Sequence, residues 1–457
     1  MIHISTNDTI AAIATAPGMG GIAVIRVSGK DAVAIVSTIW KGKDLTTLTS
    51  HTAHLGHIVS DTGDIIDQVV VTLYRAPRSF TGEDVVEIAA HGSTWIQNEI
   101  INELVRHGCR PARGGEFSQR AFLNGKVDLA EAEGIADLIA SSSRAAHRIA
   151  MSQMKGEFSS KLSTLRGQLL NFVSLLELEL DFSEEEVEFA DRSQLISLAT
   201  EIKTIVDNLA DSFSIGASIK EGIPIAIAGV TNVGKSTLLN RLLRDDKAIV
   251  SDVHGTTRDF VEDTMQINGI LFRFIDTAGL RDTDDIVENI GIQRAEKKIK
   301  DASLILWVID PTSDIAPQLE RLNAADSQLS EHQQLIVIVN KADVATLDHS
   351  LLARHDVIHL SAKNGQGITD LESKLTDIFR TQTDRHDIIV TNARHYQALV
   401  SASEALSRAL DALNINLPGD LVSQDIRQAM YHLGEITGEI STDDLLGNIF
   451  ANFCIGK

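Results

Sequence analysis

The chain has 457 residues, 43% of them hydrophobic, enough for several packed cores, and carries a formal charge of −22 at neutral pH. Affinity for nucleic acid comes chiefly from cations that replace the counterions on phosphates, so a chain this acidic is a poor unaided binder of RNA. With Cys109 and Cys454 as the two cysteines there is no disulfide framework, and no long uncharged apolar run offers a membrane span.

In chain order, Met1-Ile2-His3-Ile4-Ser5 shows neither a basic stretch ahead of an apolar one nor an arginine-rich amphipathic pattern. No targeting segment is expected, and the protein is expected in the cytoplasm. Residues 9–15 and 22–27 read as strands of a hairpin around Pro17-Gly18-Met19-Gly20-Gly21. Those glycines fit a turn rather than a phosphate loop, since no Lys-Ser follows. Residues 57–60 and 68–74 bracket a turn at Asp61-Thr62-Gly63-Asp64; 84–89 reads as a further strand, and 95–107 as an amphipathic helix that stops at Gly108. This predicts an α+β domain over residues 1–120.

From Ser118 to about Asp211 the apolar spacing turns helical, most clearly over 129–139 and 162–180. Residues 177–191 hold eight acidic residues and no basic one, which reads as a solvated acidic face near a helix end rather than a metal or acid–base site. The first part of a helical domain is expected over 121–216. Helical periodicity returns over 393–413 and 421–452, so residues 382–457 read as its second part.

The segment between, 217–381, carries the chemistry. An apolar strand, 223–228, leads into Gly229-Val230-Thr231-Asn232-Val233-Gly234-Lys235-Ser236, and a leucine-rich helix follows over 237–244. The glycines let successive N–H groups and the helix N-terminus face a polyphosphate. Lys235 would reach the β- and γ-phosphates, and the Ser236 hydroxyl would ligate Mg²⁺. Asp276-Thr277-Ala278-Gly279 ends a strand at 270–275, placing a carboxylate near the metal and an N–H near the γ-phosphate. Asn340-Lys341-Ala342-Asp343 closes a strand at 335–339, with Asp343 suited to accept from guanine N1–H and the 2-amino group. Ser361-Ala362-Lys363, after 357–360, completes the base pocket. Four motifs at strand C-terminal ends are where open α/β sheets bind ligands, and guanine is the expected base.

Two features concern hydrolysis. Thr257, in Gly255-Thr256-Thr257-Arg258-Asp259, is placed to give Mg²⁺ a second hydroxyl when the γ-phosphate is present. Leu280 stands where Ras-like switches carry a water-orienting Gln, so another polar group is needed, and Arg281 and Glu288 are the nearest candidates.

Motifs outside the GTPase segment narrow this further: Asn7-Asp8-Thr9-Ile10, Pro17-Gly18-Met19-Gly20-Gly21, Phe80-Thr81-Gly82-Glu83-Asp84, Gly115-Glu116-Phe117-Ser118 with Arg120-Ala121-Phe122-Leu123-Asn124, and the tail Phe453-Cys454-Ile455-Gly456-Lys457. Together with the four GTPase motifs, and from end to end, the chain closely resembles the MnmE (TrmE) family of bacterial tRNA-modification GTPases.

The resemblance implies a multidomain fold: an α+β N-terminal domain that binds folate and dimerises, an all-α helical domain, and a Ras-like α/β P-loop GTPase domain inserted in it. It implies a homodimer that joins a flavoprotein partner, MnmG (GidA), as a heterotetramer. The pair adds an aminomethyl or carboxymethylaminomethyl group at C5 of the wobble uridine (position 34) of certain tRNAs. The one-carbon unit would come from 5-formyl- or methylene-tetrahydrofolate, with FAD carried by the partner, which would also hold most of the tRNA. Arg26, Glu87, Lys126 and Lys457 match the family's folate contacts. Asn232, the Ser251 and Val253 carbonyls and Thr256 match its K⁺ site. Its nucleotide contacts cover Asn232, Val233, Gly234, Lys235, Ser236 and Thr237, then Ser251, Asp252, Val253, His254, Gly255, Thr256 and Thr257, beside the motifs above. Lys235, Thr257 and Glu288 form the catalytic set, with Glu288 matching the acidic residue that orients the attacking water. Cys454 stays outside that set, because nothing near it in sequence apart from Lys457 would lower its pKa. The GTPase motifs alone also fit a regulatory switch in ribosome assembly, but such a switch would carry a basic RNA-binding module and need no folate-like domain.

Overall fold

Along residues Ile65–Tyr74 every second side chain, Asp67, Val69, Val71 and Leu73, is buried while Gln68 and Val70 face out, the period of a strand with one covered face. The computed structural model describes residues 8–181, 192–245, 263–275, 302–330, 333–383, 387–441, 443–451, 453 and 456. It divides into two compact units: Met1–Ile139 with Met151–Ile196 and Arg408–Lys457, and Ala140–Ala150 with Ser197–Ser407. Among the described residues no helix is long and apolar enough to cross a membrane.

The first unit holds a sheet of strands β1 (Ile10–Ile13), β2 (Gly20–Ser28), β3 (Trp40–Lys41), β4 (Thr52–Val59), β5 (Ile65–Tyr74), β6 (Val85–Gly92) and β7 (Arg110–Pro111), in the order β3-β4-β5-β6-β2-β1-β7. All pairs are antiparallel except β1 with β7. Both expected hairpins are present: β1 pairs with β2, and β4 with β5 around the turn at Asp61. Helices Ala32–Ile39 and Thr94–Arg106 bury Val36, Ile39, Ile100 and Leu104 against Ile25, Ile58, Val71 and Ile88 of the sheet. Each such side chain contributes about 1.5–3 kcal/mol on burial.

Helix Ala32–Ile39 was not expected. Its sequence is rich in β-branched residues, and only the apolar sheet face it covers makes it helical. The long helices Glu157–Asp181 and Gly419–Thr437 pack together. The expected single periodic stretch 421–452 is two helices, because Gly438 (φ 80°) caps the first and Asp443–Ala451 starts anew.

The second unit is built on strands β8 (Ile223–Ala228), β9 (Asp263–Ile267), β10 (Ile270–Phe274), β11 (Leu304–Ile309), β12 (Gln334–Val339) and β13 (Asp356–His359), ordered β13-β12-β11-β8-β10-β9. Neighbours are parallel except β9 with β10. The strands read from the sequence at 223–228, 270–275, 335–339 and 357–360 are β8, β10, β12 and β13. Two were missed. β11, buried at all six positions, is the centre of the sheet; β9 turns into β10 through Asn268-Gly269, both at positive φ, a tight hairpin turn those two residues favour. Leu238, Leu239 and Leu242 of helix Lys235–Asp245 pack onto one face beside Phe272, Phe274 and Leu306.

Candidate functional site

The loop after β8 is shaped by its glycines. Gly229 and Gly234 stand at φ 134° and 101°, and a Cβ on Gly234 would lie 2.3 Å from the Asn340 amide nitrogen. Only glycine therefore fits where the loop meets the end of β12. Asn232 also takes positive φ, and the helix starts at Lys235, earlier than the leucine pattern indicates, so Ser236 and Thr237 sit in its first turn. Lys235 Nζ curls back over the loop and donates to the carbonyls of Gly229 (3.0 Å) and Val230 (2.6 Å). The result is a concave backbone with an ammonium group over it at a helix N-terminus, a fit for anionic phosphate oxygens.

Asn340 joins three pieces of the site. Its amide donates to the Val233 carbonyl at 2.8 Å and its Oδ1 accepts from the Ala362 N–H at 3.0 Å. One buried side chain thus fixes the phosphate loop and the 361–363 loop to the end of β12. Ala342 N–H donates to the Leu360 carbonyl at 3.1 Å. Arg241, on the helix behind the phosphate loop, donates to the carbonyls of Ala362 (3.3 Å) and Lys363 (2.7 Å). Asn364 presents its amide to Asp343 Oδ2 at 2.8 Å, and its backbone N–H to the Ser361 hydroxyl. Asp343 is thereby aimed while its other oxygen keeps full acceptor capacity, as reading two donors on a base edge requires.

Lys341, at φ 58°, pairs with Asp310 at the end of β11. Burial raises the Asp310 carboxyl, but Lys341 together with the Thr312 hydroxyl and N–H outweighs it and holds the group below the usual carboxylate range. Gln318 fixes the Asp310 backbone from both sides, accepting from its N–H and donating to its carbonyl. Asp310, Arg241 and Asn364 were not read from the sequence. Asp310 had a signal, a carboxylate closing an apolar strand; Arg241 and Asn364 act on backbone carbonyls and neighbours that no motif records.

The structure thus brings together Asn232, Val233, Gly234, Lys235, Ser236 and Thr237 with Asn340, Lys341, Ala342, Asp343, Ser361, Ala362 and Lys363. Ser251, Asp252, Val253, His254, Gly255, Thr256, Thr257, Asp276, Thr277, Ala278, Gly279, Leu280, Arg281 and Glu288 lie outside the described residues.

The first unit holds a second polar constellation. Arg26 of β2 faces Glu87 of β6 in register and donates to its Oε1 through Nε (2.9 Å) and Nη2 (2.8 Å). Its guanidinium lies 5.4 Å from the Phe80 ring centre and 5.7 Å from that of Phe117, and Nη1 reaches the Gly456 carbonyl at 3.4 Å. Burial, then the Glu87 carboxylate beside it, pushes the Tyr74 phenol above its ordinary pKa. A partly buried ion pair flanked by aromatic rings suits a flat ligand with polar edges. Lys126 donates to the Pro77 carbonyl at 3.1 Å, so it lies on the 77–82 loop that supplies Phe80 rather than on the ion pair. Lys457 and Cys454 lie outside the described residues.

Motif residues 8, 83, 116 and 120 form a buried network nearby. Arg120, 2% exposed, donates to Asp8 Oδ1 (2.7 Å), to Glu83 (3.2 Å) and to Glu116 Oε1 (3.3 Å). Arg110 pairs with Asp8 and Glu116 as well, and the Ser28 hydroxyl donates to Glu83 Oε2 at 2.7 Å. Burial raises the Asp8 and Glu116 carboxyls, but Arg110 and Arg120, joined at Glu116 by the Arg113 backbone N–H, more than offset it and leave both below their usual values. Cys109 is buried and its thiol is pushed up to about 12 by desolvation, which leaves it inert as a nucleophile.

Two family descriptions match the chain: "GTP-binding protein TrmE N-terminus" over residues 9–126 and "MnmE helical domain" over 129–454. A protein of Parabacteroides distasonis named tRNA modification GTPase MnmE is 51% identical across 98% of this chain and 100% of its own length. One of the same name from Christiangramia forsetii is 50% identical over 99% of both. The chain belongs to the MnmE family of tRNA-modification GTPases. The helical-domain match, over 129–454, encloses the phosphate loop. GTP hydrolysis in tRNA modification is its activity, and Mg²⁺ with GTP accompanies that assignment.

Proposed function

We propose that this protein is a K⁺-dependent GTPase which, as a homodimer with the flavoprotein MnmG, installs an aminomethyl or carboxymethylaminomethyl group at C5 of wobble uridine. The observation that carries the one-carbon half is the Arg26–Glu87 pair between Phe80 and Phe117, with the Gly456 carbonyl on its rim. A reduced folate offers what such a pocket takes: a flat pterin that stacks on rings, a donor edge for Glu87, and an anionic glutamyl tail for Lys126 and Lys457. When bound, it would supply the one-carbon unit, and this chain's residues would hold and orient it.

In the nucleotide site Lys235 would neutralise the β- and γ-phosphate oxygens, Ser236 and Thr257 would hold Mg²⁺, and Asp343 would select guanine. Asn232, the Ser251 and Val253 carbonyls and Thr256 would hold K⁺, which would supply positive charge against the charge developing between the β- and γ-phosphates, the job an arginine finger does elsewhere. Glu288 would orient the water in place of the Gln that Leu280 replaces. With a net charge of −22 the chain leaves most of the tRNA to its partner, in the cytoplasm.

Mass spectrometry of bulk tRNA nucleosides from a deletion strain tests this reading. Loss of the C5-modified wobble uridines supports it, and unchanged wobble uridines would favour a switch without one-carbon chemistry. Steady-state hydrolysis in matched K⁺ and Na⁺ salts tests the cation: turnover should fall in Na⁺, and equal rates would remove the Asn232 site.

A further inference from the structure

The turn between β4 and β5 meets the end of helix Thr94–Arg106 at three ligand-type side chains. One ligand atom each from Asp61, Glu103 and His107 lies within 4.8 Å of the other two. Asp61 is on the turn, Glu103 in the last part of the helix, and His107 at its C-cap.

The hydrogen bonds fix the imidazole. His107 Nδ1 is 2.9 Å from the Glu103 carbonyl oxygen, which can only accept, so Nδ1 carries hydrogen. Nε2 then points at Asp61 Oδ1, 3.2 Å away. In a neutral ring those are two lone pairs facing each other, an arrangement that asks for a cation. A proton on Nε2 would answer that demand alone. It would leave Glu103 Oε2, a buried oxygen on a side chain with 0% exposure, without a hydrogen-bond partner. Arg106 takes Oε1 of that carboxylate, while Oε2 lies 4.0 Å from His107 Nδ1, beyond hydrogen-bond reach.

We propose that Asp61, Glu103 and His107 form a divalent transition-metal site of the Zn²⁺ class, with Nε2 of the histidine and one oxygen from each carboxylate as ligands. The donor set of one imidazole and two carboxylates suits Zn²⁺ or Co²⁺. A backbone carbonyl behind Nδ1 is the usual support that turns Nε2 toward a metal. Ligands about 2.0 Å from a tetrahedral ion are about 3.3 Å apart; Asp61 Oδ1 and His107 Nε2, at 3.2 Å, already stand so, and closing the site needs a modest turn of the Glu103 carboxylate toward Nε2. The fourth position is open to water. Arg106, with its charge against Glu103 Oε1, competes with the ion and makes the site weak. Bound metal would clamp the β4–β5 turn to the helix end.

The test uses the full-length protein, stripped of metal by chelator and held with saturating GDP and Mg²⁺, titrated with Co²⁺ alone. Wild type should take up one equivalent that Asp61→Asn and His107→Gln bind more weakly by at least about 10- to 100-fold, the loss typical even of a partner behind a ligand. That equivalent should show ligand-field absorption without a thiolate charge-transfer band. Asp61 and His107 are partly exposed, so both variants should fold. Arg106→Gln should tighten Co²⁺ binding several-fold. Equal stoichiometry and affinity in wild type, D61N and H107Q would overturn the proposal, and so would weaker binding in R106Q.

Discussion

The nucleotide site and the N-terminal ion network are both polar constructions, held in opposite ways. In the first, side chains such as Asn340 and Arg241 fix backbone: they donate to the carbonyls of Val233, Ala362 and Lys363, and the loops so held present main-chain groups and a few short side chains. In the second, side chains chiefly hold one another: Arg120 and Arg110 sit among Asp8, Glu83 and Glu116, with main-chain bonds to the Asp8 and Pro111 carbonyls and the Arg113 N–H at the edges. The difference decides what a substitution does. A backbone-built site loses function when a terminal group is trimmed and keeps its fold. A network of charges loses stability, because each removed partner strands another ion out of water.

The largest effect is expected at Arg120. Arg120→Met leaves three acidic side chains short of a partner, and urea unfolding should show a loss of about 3–5 kcal/mol, with GTP hydrolysis by the remaining folded protein little changed. A loss under 1 kcal/mol would mean that the network is dispensable. Lys235→Ala should do the reverse: an unchanged unfolding midpoint, with kcat/KM for GTP down by about 10²- to 10³-fold, the usual cost of one electrostatic donor.

Smaller is the effect at Asp343, whose substitution by Ala should erase the preference for GTP over ITP, which lacks the 2-amino group. The lost discrimination is expected at about 1–3 kcal/mol in kcat/KM. A preference that survived would place base reading elsewhere. Smallest is the response to acid. Asp8 and Glu116 have folded pKa values below their unfolded values of about 3.9 and 4.3, so their stabilisation is full above those values and lost as pH falls through the folded ones. The melting temperature should therefore decline from about pH 4 downward, and R120M should flatten that decline; equal slopes would detach the network from acid sensitivity.

The same contrast explains what was legible in the sequence. Phosphate and base loops are contiguous, because backbone groups that must converge are neighbours in the chain. Gly229 to Ser236 and Asn340 to Asp343 could thus be read directly. Asp8 and Arg120 are 112 residues apart, and nothing in either segment names the other as a partner. Both were recognised as parts of motifs, and their role as mutual counter-ions needed the fold. Arg26 and Glu87 entered only through family resemblance; spacing alone gives two surface charges. Helix Ala32–Ile39 was hidden for another reason: local preference favoured a strand, and tertiary burial overrode it. Asn268-Gly269 was legible and overlooked.

One contact has an evolutionary consequence. Since the Cα of Gly234 rests against the Asn340 amide, the two positions behave as a matched pair. In a saturation library a shorter residue at 340 should relieve only the clash with a methyl at 234, not the strain of its φ of 101°, and such double replacements would surrender the Val233 and Ala362 tethers together. Selection for nucleotide turnover should then discard every combination but the original one.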